Sequence, residues 1–252
     1  MCNSVLGFAP AGIAAGVSTR AAAPVMETVA DLKALANDLN PVVGFWDPLN
    51  LAEADFWEQG NEATIGFLRE AEIKHGRVAM AAFVGFIVHS NGIRLPWDGI
   101  ATSVPADVQG AAVWDAIPEV AQWQIITFVG VMELWRENSL VLAGDGEKHY
   151  MRGGKPGYFP TFDMVPHTTP YTLFDPFNLS ANASEEKKAR GRLAEINNGR
   201  LAQIGIMAFL SESELPGSVP FLKGVVAPYS GECMAPFMRN VFDYAQPGTP
   251  FM

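Results

Sequence analysis

The residues with most chemical capacity sit in two stretches, Arg69-Glu70-Ala71-Glu72-Ile73-Lys74-His75-Gly76-Arg77-Val78-Ala79 and Arg192-Leu193-Ala194-Glu195-Ile196-Asn197-Asn198-Gly199-Arg200-Leu201-Ala202. Both read Ala-Glu-Ile-x-x-Gly-Arg-x-Ala, 123 positions apart (72 to 195). Glu72 and His75 are i and i+3 in a helical pattern and share one face, as do Glu195 and Asn198. Arg77 and Arg200 follow their own Glu by five residues, about 140° round at roughly 100° per residue. Neither arginine pairs easily with the Glu of its own helix. The spacing therefore predicts an exchange, Glu72 with Arg200 and Glu195 with Arg77, where two helices cross at the centre of the molecule.

An acid and an imidazole one turn apart first suggest a metalloenzyme. Glu-x-x-His is the ligand spacing of di-iron helical bundles. Such a centre needs a second Glu-x-x-His, and the second copy offers Asn198 instead. Each copy also brings an arginine, which repels a divalent pair. No Gly-rich phosphate loop or Gly-x-Ser-x-Gly elbow is present, and four His leave little for acid–base catalysis. A net charge of −10 argues against nucleic acid as partner, since phosphate contacts need clustered Lys and Arg. Cys2 and Cys233 are too few and too far apart for a disulfide framework or a cysteine zinc site.

The elements that position these residues are all helical. Hydrophobic residues make up 49% and charged residues 17%, an apolar balance for a soluble chain. Yet the uninterrupted apolar runs (78–88, 120–132 and 201–211) are short, and a bilayer span needs about 20 residues. They reach spanning length only if Glu72, Arg77, Glu133, Glu195 and Arg200 lie within the membrane, where ionisable side chains are costly unless paired. The predicted exchange supplies that pairing. Hydropathy alone does not identify a membrane protein; with that pairing, the expectation is an all-α membrane protein with three helices over roughly 62–93, 120–140 and 185–213. The first and third are related by a pseudo-twofold axis, and the chain ends lie on opposite sides. Small residues at i+3 spacing (Gly76, Ala79, Ala82, Gly85 and Gly199, Ala202, Gly205, Ala208) let these two helices, or a flat ligand, approach closely.

Around them, residues 1–40 read as a processing and lead-in segment, 41–245 as one membrane domain and 246–252 as a tail. Phe45-Trp46-Asp47-Pro48-Leu49-Asn50-Leu51 precedes the first helix, and Leu173-Phe174-Asp175-Pro176-Phe177-Asn178-Leu179 precedes the third. Each is a turn able to offer a carboxylate and amides to the polar end of a ligand. In the middle helix Glu133 and Arg136 stand at i and i+3 and can pair there. Residues 143–171, rich in Gly, Pro and aromatics, read as a long ordered loop of the kind usually kept for function. From Leu215 onward, recurring Pro and Gly suggest a short amphipathic tail.

Taken together, Glu-Ile-Lys-His-Gly-Arg, Glu-Ile-Asn-Asn-Gly-Arg and the Asp-Pro turn before each resemble the light-harvesting chlorophyll-binding superfamily over roughly residues 40–245. The lead-in Phe174-Asp175-Pro176-Phe177, the Gly-Lys-Pro-Gly loop and Pro216-Gly217-Ser218-Val219-Pro220 are similar to the chlorophyll a/c branch carrying fucoxanthin or peridinin. Phe8-Ala9-Pro10 resembles the phenylalanine motif of algal plastid transit peptides. The resemblance implies an antenna of a plastid thylakoid membrane, with no bond made or broken by the protein. It would bind chlorophylls a and c, a peridinin- or fucoxanthin-type carotenoid and a diadinoxanthin-like xanthophyll. Its partners would be other antenna subunits, a photosystem core and thylakoid lipids. A photoprotective, energy-dissipating relative would share every motif.

Residue by residue, the resemblance implies that Glu72, His75, Glu195 and Asn198 are axial ligands to chlorophyll magnesium, together with Glu133 of the middle helix and Gln124 or Gln122 before it. A Glu whose other oxygen meets an arginine is a net-neutral ligand suited to low dielectric. Asp47, Pro48, Asp175 and Pro176 match turns that hold carotenoid end groups. The duplication adds one more pair. His89 and Glu212 each follow the motif Glu by 17 residues, roughly 25 Å along at 1.5 Å per residue, and are read as ligands near the far end of each long helix. The superfamily typically has Gln where Glu212 stands.

Overall fold

The computed structural model describes residues 27–94, 104–105, 107–164, 175–177, 179–180, 182–232 and 235–237. Cys2, Cys233, the Phe8 motif, Phe174 and residues 246–252 lie outside them. Among the described residues there is no strand. The helices are α1 (Val29–Leu39), α2 (Asn61–Ser90), α3 (Ala112–Ala116), α4 (Glu119–Glu137), α5 (Ser139–Gly144) and α6 (Glu185–Glu214), with 3-10 turns at Leu51–Glu53, Tyr150–Arg152 and Pro220–Leu222.

Local chemistry sets the ends. The Thr28 hydroxyl accepts from Asp31 N while Asp31 accepts from Thr28 N, a capping box that starts α1 inside the stretch expected to be lead-in. Ser184 caps α6 by accepting from Lys187 N, with Glu185 and Glu186 complementing the positive helix end. Pro118 precedes α4. Asn138 ends it in extended backbone, and its side chain then caps α5 through Leu140 N at 2.9 Å. The middle helix therefore stops at Glu137 rather than 140. α2 ends at Ser90 rather than 93, where Gly92 turns the chain at φ 69°.

The centre of the molecule is the crossing of α2 and α6. A Cβ on Gly199 would lie 2.9 Å from Gly76 Cα, and one on Gly76 3.1 Å from Gly199 Cα. Only glycine lets the backbones meet there. Ala79 and Ala202, one turn on, are buried with them. Beyond the crossing, Phe209 stacks between Phe83 and Phe86 with centroids 5.0 Å away on each side. The small-residue ladder is thus a backbone-to-backbone contact only in its first half. Gly205 faces the Phe83 ring, whereas Gly85 has no neighbour within 4 Å of a built Cβ.

By apolarity alone, no helix among the described residues is long and apolar enough to cross a membrane. Of the ionisable side chains that interrupt α2 and α6, Glu72, Arg77, Glu195 and Arg200 meet each other at the crossing.

Candidate functional site

At the crossing, Arg200 Nε and Nη2 both lie 2.7 Å from Glu72 Oε1. Arg77 Nε donates to Glu195 Oε1 at 2.6 Å, and its Nη1 donates to the carbonyl of Gly157 at 2.7 Å. The structure thus brings together both pairs that the duplication predicts. Each charge is neutralised by the other helix.

The environments of the two carboxylates differ. Glu72 Oε2 also accepts from Arg69 Nη1, and Arg69 Nε donates to Glu27 Oε2 at 2.8 Å. Among the described residues Glu195 Oε2 has no partner. His75 is exposed, and its Nδ1 lies 2.7 Å from the Ala71 carbonyl. A carbonyl only accepts, so Nδ1 carries the proton and Nε2 keeps its lone pair. Asn198 is exposed at the equivalent place on α6. Next to it, Asn197 Nδ2 donates to the Leu39 carbonyl at 3.3 Å and ties α1 to α6.

The middle helix corrects one expectation. Arg136 does not pair with Glu133. It forms a two-pronged pair with Glu70 of α2, both side chains at 5% exposure or less, and Glu70 Oε2 also accepts from Gly157 N at 2.7 Å. A carboxylate this buried needs a full countercharge, and only a side chain arriving from another helix provides it. Glu133, half-exposed, pairs with Lys74 Nζ instead. Gln122 is fully buried and pinned through Nε2 to the Trp114 carbonyl at 2.6 Å. Gln124 is exposed and, with Ile117, Ala121, Ile125 and Phe128, lines an open apolar groove of about 300 Å³. Of the two glutamines, only Gln124 reaches an open face.

The loop after α5 holds the crossing in place. Its amide and carbonyl at Gly157 meet Glu70 and Arg77, and Gly157 itself adopts φ +80°, with Ile73 packed against the place of its missing Cβ. Asp145 accepts from Tyr158 Oη (2.8 Å), Thr161 N (2.7 Å) and Thr161 Oγ1 (2.6 Å). Glu137 accepts from His149 and from Tyr150 Oη, and burial with the Glu137 charge pushes the Tyr150 hydroxyl up to about 12.

Three further expectations change. His89 Nδ1 lies 3.3 Å from Arg94 Nη1, which can only donate. The contact favours the tautomer protonated at Nε2, so that Arg94 competes for the lone pair a metal would need. Glu212 is 2% exposed and accepts from Gly217 N at 2.8 Å and Val219 N at 2.9 Å, so it braces the turn after α6 rather than facing a ligand. The Asp47 carboxylate accepts from Leu51 N (3.0 Å) and Ala52 N (2.8 Å), and Asp175 accepts from Leu179 N and Ser180 N, both at 2.7 Å. These carboxylates bind their own turns. What the turns present outward is apolar, with Leu49 and Phe177 exposed.

Sequence reasoning missed Glu70, Lys74, Arg69 and Glu27 as partners. Among the described residues no group of three or more His, Cys, Asp or Glu is placed to hold a metal ion, which leaves a di-iron centre without its ligands there. His75 Nε2 and Glu195 Oε2 each leave a single donor atom without a partner among the described residues.

The sequence profile described as Chlorophyll A-B binding protein matches residues 31–214. The chain is 34% identical over 188 residues to a fucoxanthin-chlorophyll a-c binding protein, chloroplastic, of Trieres chinensis, covering 72% of this chain and 79% of that protein. It is 36% identical over 178 residues to fucoxanthin-chlorophyll a-c binding protein A of Macrocystis pyrifera, covering 69% of each. Protein C of the same description from Phaeodactylum tricornutum is 31% identical over 218 residues, covering 85% of this chain and 96% of that one.

Proposed function

The chain belongs to the Chlorophyll A-B binding protein family, and from that premise we propose that it is a light-harvesting antenna subunit holding chlorophylls a and c and fucoxanthin-type carotenoids. The observation that carries the reading is the set of donors left on open helix faces beside neutralised charge: His75 Nε2, Glu195 Oε2 and the Asn198 amide. Glu72, Glu133 and Gln124 complete the ligand set. His89 and Glu212 are not part of it. Bound pigments supply the absorption and transfer of light energy. The chain supplies position: the glycine crossing fixes the helices, the Arg–Glu exchange removes net charge from a low-dielectric site, and the Ala71 carbonyl fixes the His75 tautomer.

α2, α4 and α6 are the membrane spans in this reading. At 1.5 Å per residue the two long helices reach about 45 Å, beyond a hydrocarbon core of about 30 Å, and the middle one about 28 Å, just short of it and within the range of lengths that span. Exposed Val120, Phe128, Val129, Val131 and Leu134 on α4, and Leu201, Ile204 and Met207 on α6, suit lipid and pigment rather than water. Carotenoid polyenes lie in the slanted grooves beside the crossing, with their ends against the turns at Asp47-Pro48 and Asp175-Pro176. The setting is a plastid thylakoid, and the partners are other antenna subunits, a photosystem and thylakoid lipids.

The test is reconstitution of the whole chain with chlorophylls a and c and fucoxanthin. The expected product is a coloured complex whose carotenoid excitation appears as chlorophyll emission, and in which His75→Leu loses one chlorophyll. A complex that forms with an unchanged chlorophyll-to-protein ratio in His75→Leu would overturn the ligand assignment.

A further inference from the structure

The two copies place an arginine at the same register, three residues before the motif Glu, and use it differently. Arg69 is 8% exposed and bridges Glu27 and Glu72. Arg192 is exposed and makes no ion pair among the described residues. The difference lies outside the helices. Glu27, the residue before the α1 cap, lies over the side of α2, and among the described residues no acidic side chain pairs with Arg192 in the same way.

The consequence falls on the carboxylates. An ionised carboxylate has roughly four lone-pair positions. At Glu72 two face the Arg200 Nε and Nη2 atoms and a third faces Arg69. At Glu195 one faces Arg77 Nε, and Oε2 is open. A metal approaching Glu72 meets a donor already committed to two guanidinium groups. One approaching Glu195 meets a free oxygen.

Resting on the ligand reading above, we propose that Arg69, held inward by Glu27, weakens the hold of Glu72 on a chlorophyll magnesium, so that the first-copy chlorophyll is the exchangeable member of the pair. Arg69 is a positioning residue here: it acts on the ligand, not on the pigment. Glu27 makes the strength of that site depend on whether the lead-in segment is docked. Docked, Arg69 is drawn against Glu72. Undocked, Arg69 takes the free position that Arg192 already has.

The test uses the full chain reconstituted with chlorophylls a and c and fucoxanthin. Glu72→Ala and Glu195→Ala first assign the absorption band belonging to each carboxylate. The rate at which each chlorophyll leaves on dilution into detergent is then followed for the parent, Arg69→Gln, Arg69→Lys and Glu27→Gln. In the parent the Glu72 band decays faster. Arg69→Gln and Glu27→Gln slow that decay about tenfold, the scale of one charge-assisted hydrogen bond at a partly exposed site, and leave the Glu195 band unchanged. Arg69→Lys falls between. General loosening of the fold would speed both decays, so a slower one is a signature that a purely structural role does not give. Faster or unchanged loss at Glu72 in both Arg69→Gln and Glu27→Gln overturns the proposal while leaving the ligand reading intact. If Glu72→Ala and Glu195→Ala each retain the full chlorophyll content, the ligand reading fails and the proposal with it.

Discussion

The first and second copies of the repeated stretch share a helix, a glycine crossing and a reciprocal charge exchange, yet the first is far more heavily tied down. Arg77 bonds both Glu195 and the Gly157 carbonyl, while Arg200 bonds Glu72 alone across the crossing and remains 46% exposed along its side chain. Glu70 anchors a buried pair with Arg136, and the second copy has Leu193 at that place. Symmetry therefore holds where the two helices touch each other and at the Asp47 and Asp175 turns, each of which binds the amides four and five residues on. Everything else is set by the segments that have one copy, namely the lead-in with α1, the middle helix and the loop at 145–161.

The largest effect should come from removing the bond unique to the first copy. Arg136→Leu leaves Glu70 buried with one amide for company and should cost about 3–5 kcal/mol. Detergent or thermal unfolding of the pigment complex measures it, and Glu70→Leu with Arg136→Leu should recover most of the loss. A smaller effect tests the shared crossing. Gly199→Ala forces the backbones apart and should cost about 1–3 kcal/mol. Gly85→Ala, in open space, should be neutral or stabilising by up to about 1 kcal/mol. Equal effects at the two glycines would mean that the crossing is not the tight point. Smaller again is the difference between the two arginines. Arg77→Ala should destabilise more than Arg200→Ala by about 1 kcal/mol, the worth of the extra bond to Gly157.

The smallest effect distinguishes the two turns. Asp175 has a hydroxyl partner that Asp47 lacks: the Ser180 side chain and amide, then the Leu179 amide, hold its carboxyl below its ordinary value of 3.8. A depressed carboxyl contributes stability that is present above the ordinary value and is lost as pH falls through the lowered one. Protection of the Leu179 and Ser180 amides, taken relative to the intrinsic exchange rate at each pH, should therefore persist at pH 7 and fall only once pH drops below 3.8. Ser180→Ala should move that loss to higher pH.

Much of this arrangement was legible in the sequence because it obeys helical geometry. A Glu and an Arg five residues apart on one helix face different ways, so the partner had to come from elsewhere, and the duplication named it. The three long helices followed from Pro, Gly and apolar runs, to within a few residues at their ends. What was not legible depended on approach from segments without a copy. Nothing in Arg69-Glu70-Ala71-Glu72 distinguishes Glu70, which is buried, from Glu72, which faces the crossing. Arg136 had a nearer candidate in Glu133, and local spacing gave no sign that Glu70 would claim it. The 17-residue offset placed Glu212 beside His89 as a ligand, but the amides of Gly217 and Val219 take its oxygens within the next turn of chain. His89 is decided by Arg94, five residues on, through the tautomer it selects.

The exchange also sets an order of events during synthesis. Its two bonds join residues 118 and 128 positions apart. At about 5–20 residues per second, α6 follows α2 out of the ribosome by roughly 6–25 s. For that interval Glu72 has a neighbour one turn away in Arg69, but Arg77 has no acidic partner of its own and waits, charged, for Glu195. A nascent chain stalled before α6 would thus carry an unneutralised cation near the middle of its first long helix, a mark by which an unfinished chain differs from a finished one.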